Sequence, residues 1–130
     1  MTVLVKPTPR KNPLAPEEES KFYPYVDSNE EYDLNKLADL MSDGSTVRRN
    51  DIYAVLIGLV DITIKNLKEN KKLRFGELGT FYLSVKGSPV DNVDDFSASQ
   101  VKSVKICYRP GIGLKEELKS IHYSTRKTNK

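Results

Sequence analysis

Basic side chains recur at alternate positions in the parts of this chain that have the residue pattern of β-strands. Alternate residues of a strand lie on one face of a sheet, so these side chains are predicted to share a face that carries no acidic residue. Lysine and arginine on a rigid sheet can neutralise phosphate groups and release counterions, which gives salt-sensitive binding. Alternatively, the cations only keep an exposed sheet hydrated and block edge pairing. The residues are Lys72, Arg74, Lys86, Lys105 and Arg109.

Residues that could carry catalysis or bind a metal ion are few and scattered. Cys107 and His122 are the single cysteine and the single histidine, which is too few for a zinc site. Neither a GxxxxGK loop nor an HExxH motif occurs. Asp94 and Asp95 are adjacent, but they fall in a predicted loop, where solvated acids are ordinary. The sequence therefore predicts no enzyme activity, no cofactor, no metal site and no small-molecule substrate.

The composition is that of one domain with little net charge. The chain has 130 residues, 38% of them hydrophobic and 30% charged, and its net charge is only +3. A core of this size leaves much of the surface wet, and dimerisation would bury more of it. The single cysteine favours a reducing, cytoplasmic setting. No apolar run is long enough for a signal peptide or a membrane span.

The first part of the chain differs in composition from the rest. Five of the seven prolines lie within residues 1–26, and proline favours extended backbone. We predict short edge strands at Thr2–Val5 and Phe22–Val26 with an extended connector between them, the alternative being a disordered tail. The predicted organisation is an N-terminal extension (1–32), a folded domain (33–123) and a basic flexible tail (124–130).

Two helices are predicted at the start of the folded domain. Asp33 is predicted to be the N-cap of the first helix, which ends at Gly44. Thr46 is predicted to cap a second helix that runs to about Asn70. This helix is apolar over so wide an arc that it should be buried on more than one side, with Leu59 among its apolar residues. A second subunit would cover the additional side, or the N-terminal segment would do so instead.

Alternating residues after the second helix predict a three-stranded antiparallel sheet. Loops are expected at residues 76–79 and 87–100, and the latter contains Asp91, Asp94 and Asp95. Pro110 would fix the start of a short last helix whose thin apolar edge includes Ile121. The tail beyond it contains Arg126 and Lys127. The predicted inward residues are Leu73, Phe75, Phe81, Leu83, Val85, Val104, Ile106 and Tyr108.

Two short motifs resemble those of the histone-like HU/IHF family. The segment Phe75-Gly76-Glu77-Leu78-Gly79-Thr80-Phe81 resembles that family's Gly-aromatic-Gly-x-Phe turn, and Tyr108-Arg109-Pro110-Gly111 resembles its aromatic-basic-Pro-Gly start of the last helix. The proline-rich beginning is similar to that of extended HU-like proteins of Bacteroides-type bacteria. The resemblance covers roughly residues 33–121.

The resemblance implies an α+β fold in which two chains intertwine and their sheets form a concave saddle for DNA. Leu78, Phe81 and Tyr108 would then be dimer-core positions, and we expect Leu59 to join them. Lys86, Lys105 and Arg109 would line the saddle. The function that this resemblance implies is architectural: a bacterial homodimer of the nucleoid would bind and condense DNA with little sequence specificity.

One segment departs from the family pattern. The family's DNA-embracing arm is a basic ribbon whose Arg-Asn-Pro tip wedges a proline between base pairs. The matching stretch here, Lys86–Gln100, is shorter and contains one basic and three acidic residues. Pro89 lacks the flanking arginine and asparagine, so the wedge role is not carried over to it. The alternative function is therefore a dimeric structural or protein-interaction module that has lost strong DNA binding.

Overall fold

The computed structural model describes residues 2–28 and 30–125. These residues form two compact units: the residues up to Tyr32 together with those from Glu117 onward, and Asp33–Glu116 between them. The α+β class is confirmed, with helices and two small sheets. The elements are β1 (Thr2–Arg10), β2 (Lys21–Val26), α1 (Leu34–Asp43), α2 (Arg49–Lys68), β3 (Leu73–Arg74), β4 (Gly79–Gly87), β5 (Val101–Pro110), α3 (Ile112–Leu118) and β6 (His122–Thr125).

The first helix of the helical hairpin begins and ends at the predicted cap residues. The Asp33 side chain accepts a hydrogen bond from the Lys36 backbone N–H at 2.9 Å, and Gly44 is the C-cap of α1. The predicted Thr46 cap is wrong, because α2 starts at Arg49. The N-cap residue is Arg48, whose side chain makes no capping hydrogen bond. A turn occupies the residues before α2, in which Val47 N–H donates to Ser45 Oγ at 3.0 Å. Helix α2 ends at Lys68, two residues before the predicted end.

The predicted antiparallel sheet is confirmed, with strand order β3-β4-β5. Its first strand is shorter than expected, because Phe75 N–H donates to Gly79 O at 2.8 Å and closes a turn directly after β3. In β4 and β5, Phe81 pairs with Tyr108 and the next inward pair is Leu83 with Ile106. The register shifts between Lys86 and Gly87, where the hairpin leaves its regular pairing.

A second sheet with strand order β2-β1-β6 was not predicted as such. Strand β1 is longer than the predicted Thr2–Val5 and pairs with β2 in antiparallel register, for example Pro7 with Pro24. Pro7 and Pro9 lie beyond the stretch of β1 that pairs with β6, so their missing N–H groups break no ladder on that side. The predicted extended connector is wrong, because residues 12–18 form consecutive turns.

The C-terminal part of the described chain differs from the expectation. Helix α3 ends at Leu118, so Ile121 is not part of its apolar edge. Ser124 and Thr125, predicted to belong to a flexible tail, lie in β6 and pair in parallel with Leu4 and Val5. The partner strand is more than a hundred residues away in sequence, and four residues are too few to show alternation. Arg126 and Lys127 lie outside the described residues.

Very few apolar side chains are buried in the single chain. Among the described residues, only Ala38, Ile52 and Leu67 are buried hydrophobics. Helix α2 exposes Val55 by 71% and Ile62 by 58%. None of the described helices is long and apolar enough to cross a membrane. The apolar surface that the sequence provides is therefore left largely uncovered by the chain's own fold.

Candidate nucleic-acid interface

Strand register gathers the predicted cations on one face of the β3-β4-β5 sheet. Thr80 pairs with Arg74 on one side and with Arg109 on the other, so these three residues form a row across the sheet. Further along the hairpin, Ser84 pairs with Lys105. We call Lys72, Arg74, Lys86, Lys105 and Arg109 the basic face; Lys72 directly precedes β3, and the residues between them on β4 and β5 are Thr80, Tyr82, Ser84, Ser103 and Cys107.

The five cations of the basic face are exposed and have no neutralising partner among the described residues. All five belong to the exposed residues of the single chain. Ion pairs elsewhere in the described chain involve Lys6, Arg49 and Lys71. Neither strand β4 nor strand β5 contains an acidic residue. The face can therefore offer its positive charge to an anion without first breaking an internal ion pair.

Tyr82, which was not among the predicted site residues, lies among these cations. The Lys72 Nζ atom lies 5.8 Å from the centre of the Tyr82 ring, and the Arg109 guanidinium carbon lies 5.3 Å from the same centre. Both distances are within the range of a cation–π interaction. The alternation of the strand did place Tyr82 on the outward face, so its position could be predicted although its contacts could not.

A shallow hollow of about 230 Å³ opens where β4 begins and β5 ends. Arg74 and Arg109 both line it, and Thr80 lies in the row between them. Gly79 has φ 127°, and a Cβ atom there would lie 2.2 Å from Arg109 O. Only glycine fits this backbone, because β4 approaches Arg109, Pro110 and the Tyr108 ring closely at this point. The lining residues are Arg74, Gly76, Gly79, Thr80, Arg109, Pro110, Gly111 and Ile112.

The opposite face of the sheet is apolar and contains two of the four predicted dimer-core residues, Phe81 and Tyr108, while a third, Leu78, lies in the turn that precedes β4. Phe81 stacks on Tyr108 with ring centroids 5.0 Å apart, and Phe75 meets Phe81 edge-to-face at 5.5 Å. The Tyr108 hydroxyl donates to Leu78 O at 2.5 Å. The fourth residue, Leu59, lies on α2 and is 44% exposed. These contacts bring Leu78, Phe81 and Tyr108 together.

An open apolar groove runs between α2 and this face of the sheet. Its volume is about 340 Å³. Val104 and Ile106, which line the groove, and Val85 on β4 are each about 60% exposed in the single chain. Such a contiguous apolar surface is characteristic of an interaction site. The groove is lined by Ile64, Leu67, Lys68, Leu83, Val104, Lys105 and Ile106.

The tip of the β4–β5 hairpin is built from short turns. Two 3₁₀ turns, Val93–Asp95 and Ala98–Gln100, occupy much of the stretch that was predicted as loop. The Asn92 side chain accepts a hydrogen bond from Asp94 N–H, and Ser97 with Gln100 forms a capping box. The acidic residues Asp91, Asp94 and Asp95 are exposed, as is Pro89. No lysine or arginine lies within residues 87–100, so this tip adds negative charge.

The other candidate residues are separate from one another. Cys107 is half-buried in β5, where it pairs with Tyr82, whereas His122 is exposed in β6 and pairs with Thr2. In the described part of the chain, no group of three or more histidine, cysteine or acidic side chains could hold a metal ion.

Comparisons with known proteins relate the fold to HU domains. A family model described as an HU domain fused to wHTH, Ig, or Glycine-rich motif (HU-HIG) matches residues 1–126. A crystal structure of a protein from Bacteroides vulgatus ATCC 8482, provisionally described as a bacterial DNA-binding protein, is similar with a TM-score of 0.63. The sequences are 14% identical, and the match covers 99% of this chain and 50% of that chain. No curated protein matches the sequence of this chain significantly.

The solved structure shares the fold, and the present chain spans half of its length. The family model covers nearly the whole chain, including both sheets and the helical hairpin. The chain therefore belongs to the HU-HIG family of HU domains.

Proposed function

We propose that two copies of this chain form an intertwined homodimer that binds double-stranded DNA through its basic faces. The observation that carries the proposal is the set of five exposed cations on one rigid face, without an acidic residue or an ion-pair partner among the described residues. A regular sheet holds such charges at fixed spacing, which suits the regular phosphates of a duplex. The role is architectural and not enzymatic, with the bacterial nucleoid as the place of action and no cofactor or small-molecule substrate.

The homodimer is proposed because the single chain buries too little apolar surface. Three buried hydrophobic side chains among the described residues make a small core for a chain of this length. A second copy that covers the exposed apolar side chains would add stability. The surface available for a second copy includes the outer side of α2 with Leu59, the apolar groove, and the cluster of Leu78, Phe81 and Tyr108. A symmetric dimer would then present two basic faces.

Binding of this kind is expected to depend on salt and only weakly on base sequence. Contacts from lysine and arginine to phosphates carry no direct sequence information, and they weaken as salt replaces the released counterions. Arg126 and Lys127, beyond the described residues, would add further phosphate contacts. The acidic hairpin tip offers no basic wedge, so we propose that DNA lies on the saddle with little bending.

Electrophoretic mobility shift at about 50 mM salt tests the proposal, with duplexes of several lengths and unrelated sequences. The test pair is the double variant Lys105→Glu/Arg109→Glu and a matched control, Lys11→Glu/Lys21→Glu, which has the same net charge and alters exposed cations that do not belong to the basic face. Wild-type protein and the control should shift every duplex, and the test variant should not. Absence of any shift by the wild type would overturn the proposal.

A second candidate function is a dimeric structural or protein-interaction module. The hairpin tip favours it, because Val93 is 87% exposed and Phe96 is 66% exposed beside three acidic residues. Such a tip suits a protein surface better than a DNA groove. If Lys105→Glu/Arg109→Glu leaves the cellular partners unchanged, this second function is favoured over DNA binding.

A further inference from the structure

We infer that Tyr82 is a positioning residue that holds Lys72 and Arg109 in place for contact with DNA phosphates. The inference rests on the proposed function and adds to it a role for an uncharged residue. Tyr82 lies on the central strand β4, while Lys72 directly precedes β3 and Arg109 belongs to β5. Both cations reach the same ring, at 5.8 Å and 5.3 Å from its centre.

An aromatic ring suits this purpose better than a carboxylate. A carboxylate between two cations would order them, but it would cancel part of their charge and repel the phosphate that they are to meet. The ring instead attracts cations through its electron-rich face while the net positive charge of the site is retained. Tyr82 can therefore order two like charges without weakening the field that attracts DNA.

Ordering matters because both side chains are long. Lysine and arginine lose considerable rotamer freedom when they bind, and this loss reduces the affinity of any phosphate contact. A cation already held against a ring has lost part of that freedom before DNA arrives. The half-buried Tyr82 is itself held in the middle strand, where it pairs with Cys107.

Arg49 in the helical hairpin provides a contrast within the same chain. Its guanidinium lies 5.9 Å from the Tyr53 ring, but it also pairs with the Asp39 carboxylate and donates to Asn35 Oδ1 at 2.8 Å. That arginine is ordered and neutralised, as a structural contact between α1 and α2 requires. Arg109 contacts the Tyr82 ring but pairs with no carboxylate among the described residues. Its positive charge therefore stays available for an external anion.

The experiment compares Tyr82→Leu, Tyr82→Phe and the matched control Tyr123→Leu, which removes an exposed strand tyrosine from the other sheet. Duplex affinity is measured by fluorescence anisotropy at low salt. We expect Tyr82→Leu to bind about fivefold to tenfold more weakly, given two surface cation–π contacts. Tyr82→Phe keeps the ring and should bind within about twofold of the wild type. Tyr123→Leu should match the wild type.

A double-mutant cycle separates positioning from a general structural role. In a Lys72→Ala/Arg109→Ala background, Tyr82→Leu should cause no further loss of affinity, because the cations that it positions are absent. Thermal unfolding checks that each variant is folded. If Tyr82→Leu does not fold, Tyr82→Thr retains a residue that favours strands and replaces it in the cycle.

The outcomes distinguish this inference from the proposed function. If the wild type binds DNA and Tyr82→Leu binds equally well, the role of Tyr82 is overturned and the basic face stands. The positioning role is also overturned if Tyr82→Leu weakens binding equally in both backgrounds. If the wild type binds no duplex, the proposed function fails, and the positioning role falls with it.

Discussion

Phe81 and Tyr108 face each other in register across β4 and β5, and their stacked rings lie 5.0 Å apart at an interplanar angle of 30°. The adjacent pair, Thr80 and Arg109, points to the opposite side of the same two strands. One hairpin therefore serves two purposes through the two-residue period of a strand. Its apolar side is available for packing and its other side for binding an anion.

Replacement of Phe81 tests the packing side. Phe81→Ala removes the ring that contacts both Phe75 and Tyr108, and we expect a loss of about 2–4 kcal/mol in the free energy of unfolding. Urea denaturation at fixed protein concentration measures it. Phe22→Ala in β2 is the control, since Phe22 is 69% exposed and should change stability little. Equal effects of the two substitutions would show that the ring contacts of Phe81 with Phe75 and Tyr108 do not stabilise the protein.

A charge on α2 tests the proposed homodimer. Leu59→Asp places a carboxylate at a position of α2 that is 44% exposed in the single chain, and burial of that carboxylate against a partner would be costly. We expect the dimer to dissociate and the chain to lose stability with it. Light scattering after size exclusion measures the mass. Val93→Asp at the hairpin tip should leave the dimer intact, and a Leu59→Asp dimer of unchanged stability would argue against this interface.

Removal of the helix cap tests the start of α1. Asp33→Ala deletes the oxygen that accepts the Lys36 N–H bond, and the expected cost is about 1 kcal/mol of unfolding free energy. Asp33→Ser should retain most of the stability because serine caps helices as well. Chemical denaturation of the three proteins provides the comparison. An alanine variant as stable as the wild type would show that the cap contributes nothing.

The salt dependence of DNA binding tests the number of phosphate contacts. Each neutralised phosphate contributes about 0.9 to the slope of log K against log salt, and a homodimer carries two copies of Lys105. Lys105→Ala should therefore reduce the slope by up to about 2. Anisotropy titrations over a range of salt concentrations measure it. Lys11→Ala should leave the slope unchanged. An unchanged slope for Lys105→Ala would show that Lys105 does not contact a DNA phosphate.

Neutralisation of the hairpin tip distinguishes the two candidate functions. Replacement of Asp91, Asp94 and Asp95 by asparagine removes three exposed negative charges with little change in side-chain size. If DNA lies on the saddle, we expect tighter binding at low salt and a smaller difference as added salt shortens the screening length. If the tip binds a basic protein instead, the same variant should lose that partner while DNA affinity stays the same.

Several features followed from local chemistry and could be predicted from residues alone. The two ends of the first helix, at Asp33 and Gly44, could be predicted because capping depends on the residues next to the helix ends. The two faces of β4 and β5 followed from alternation, which is a property of the strand itself. Thr46 failed as a cap because a serine turn at Ser45 delays the start of α2.

The sequence by itself determined which side chains share a face, because the direction of a side chain depends only on the period of its own strand or helix. Only the tertiary structure decided which strands lie side by side, because pairing joins residues far apart in the chain. Strand β6 became a parallel neighbour of β1, and Tyr82 came between Lys72 and Arg109, through such pairing. The basic face was thus predictable as a set of residues, whereas the contacts that order its cations depended on the assembled sheet.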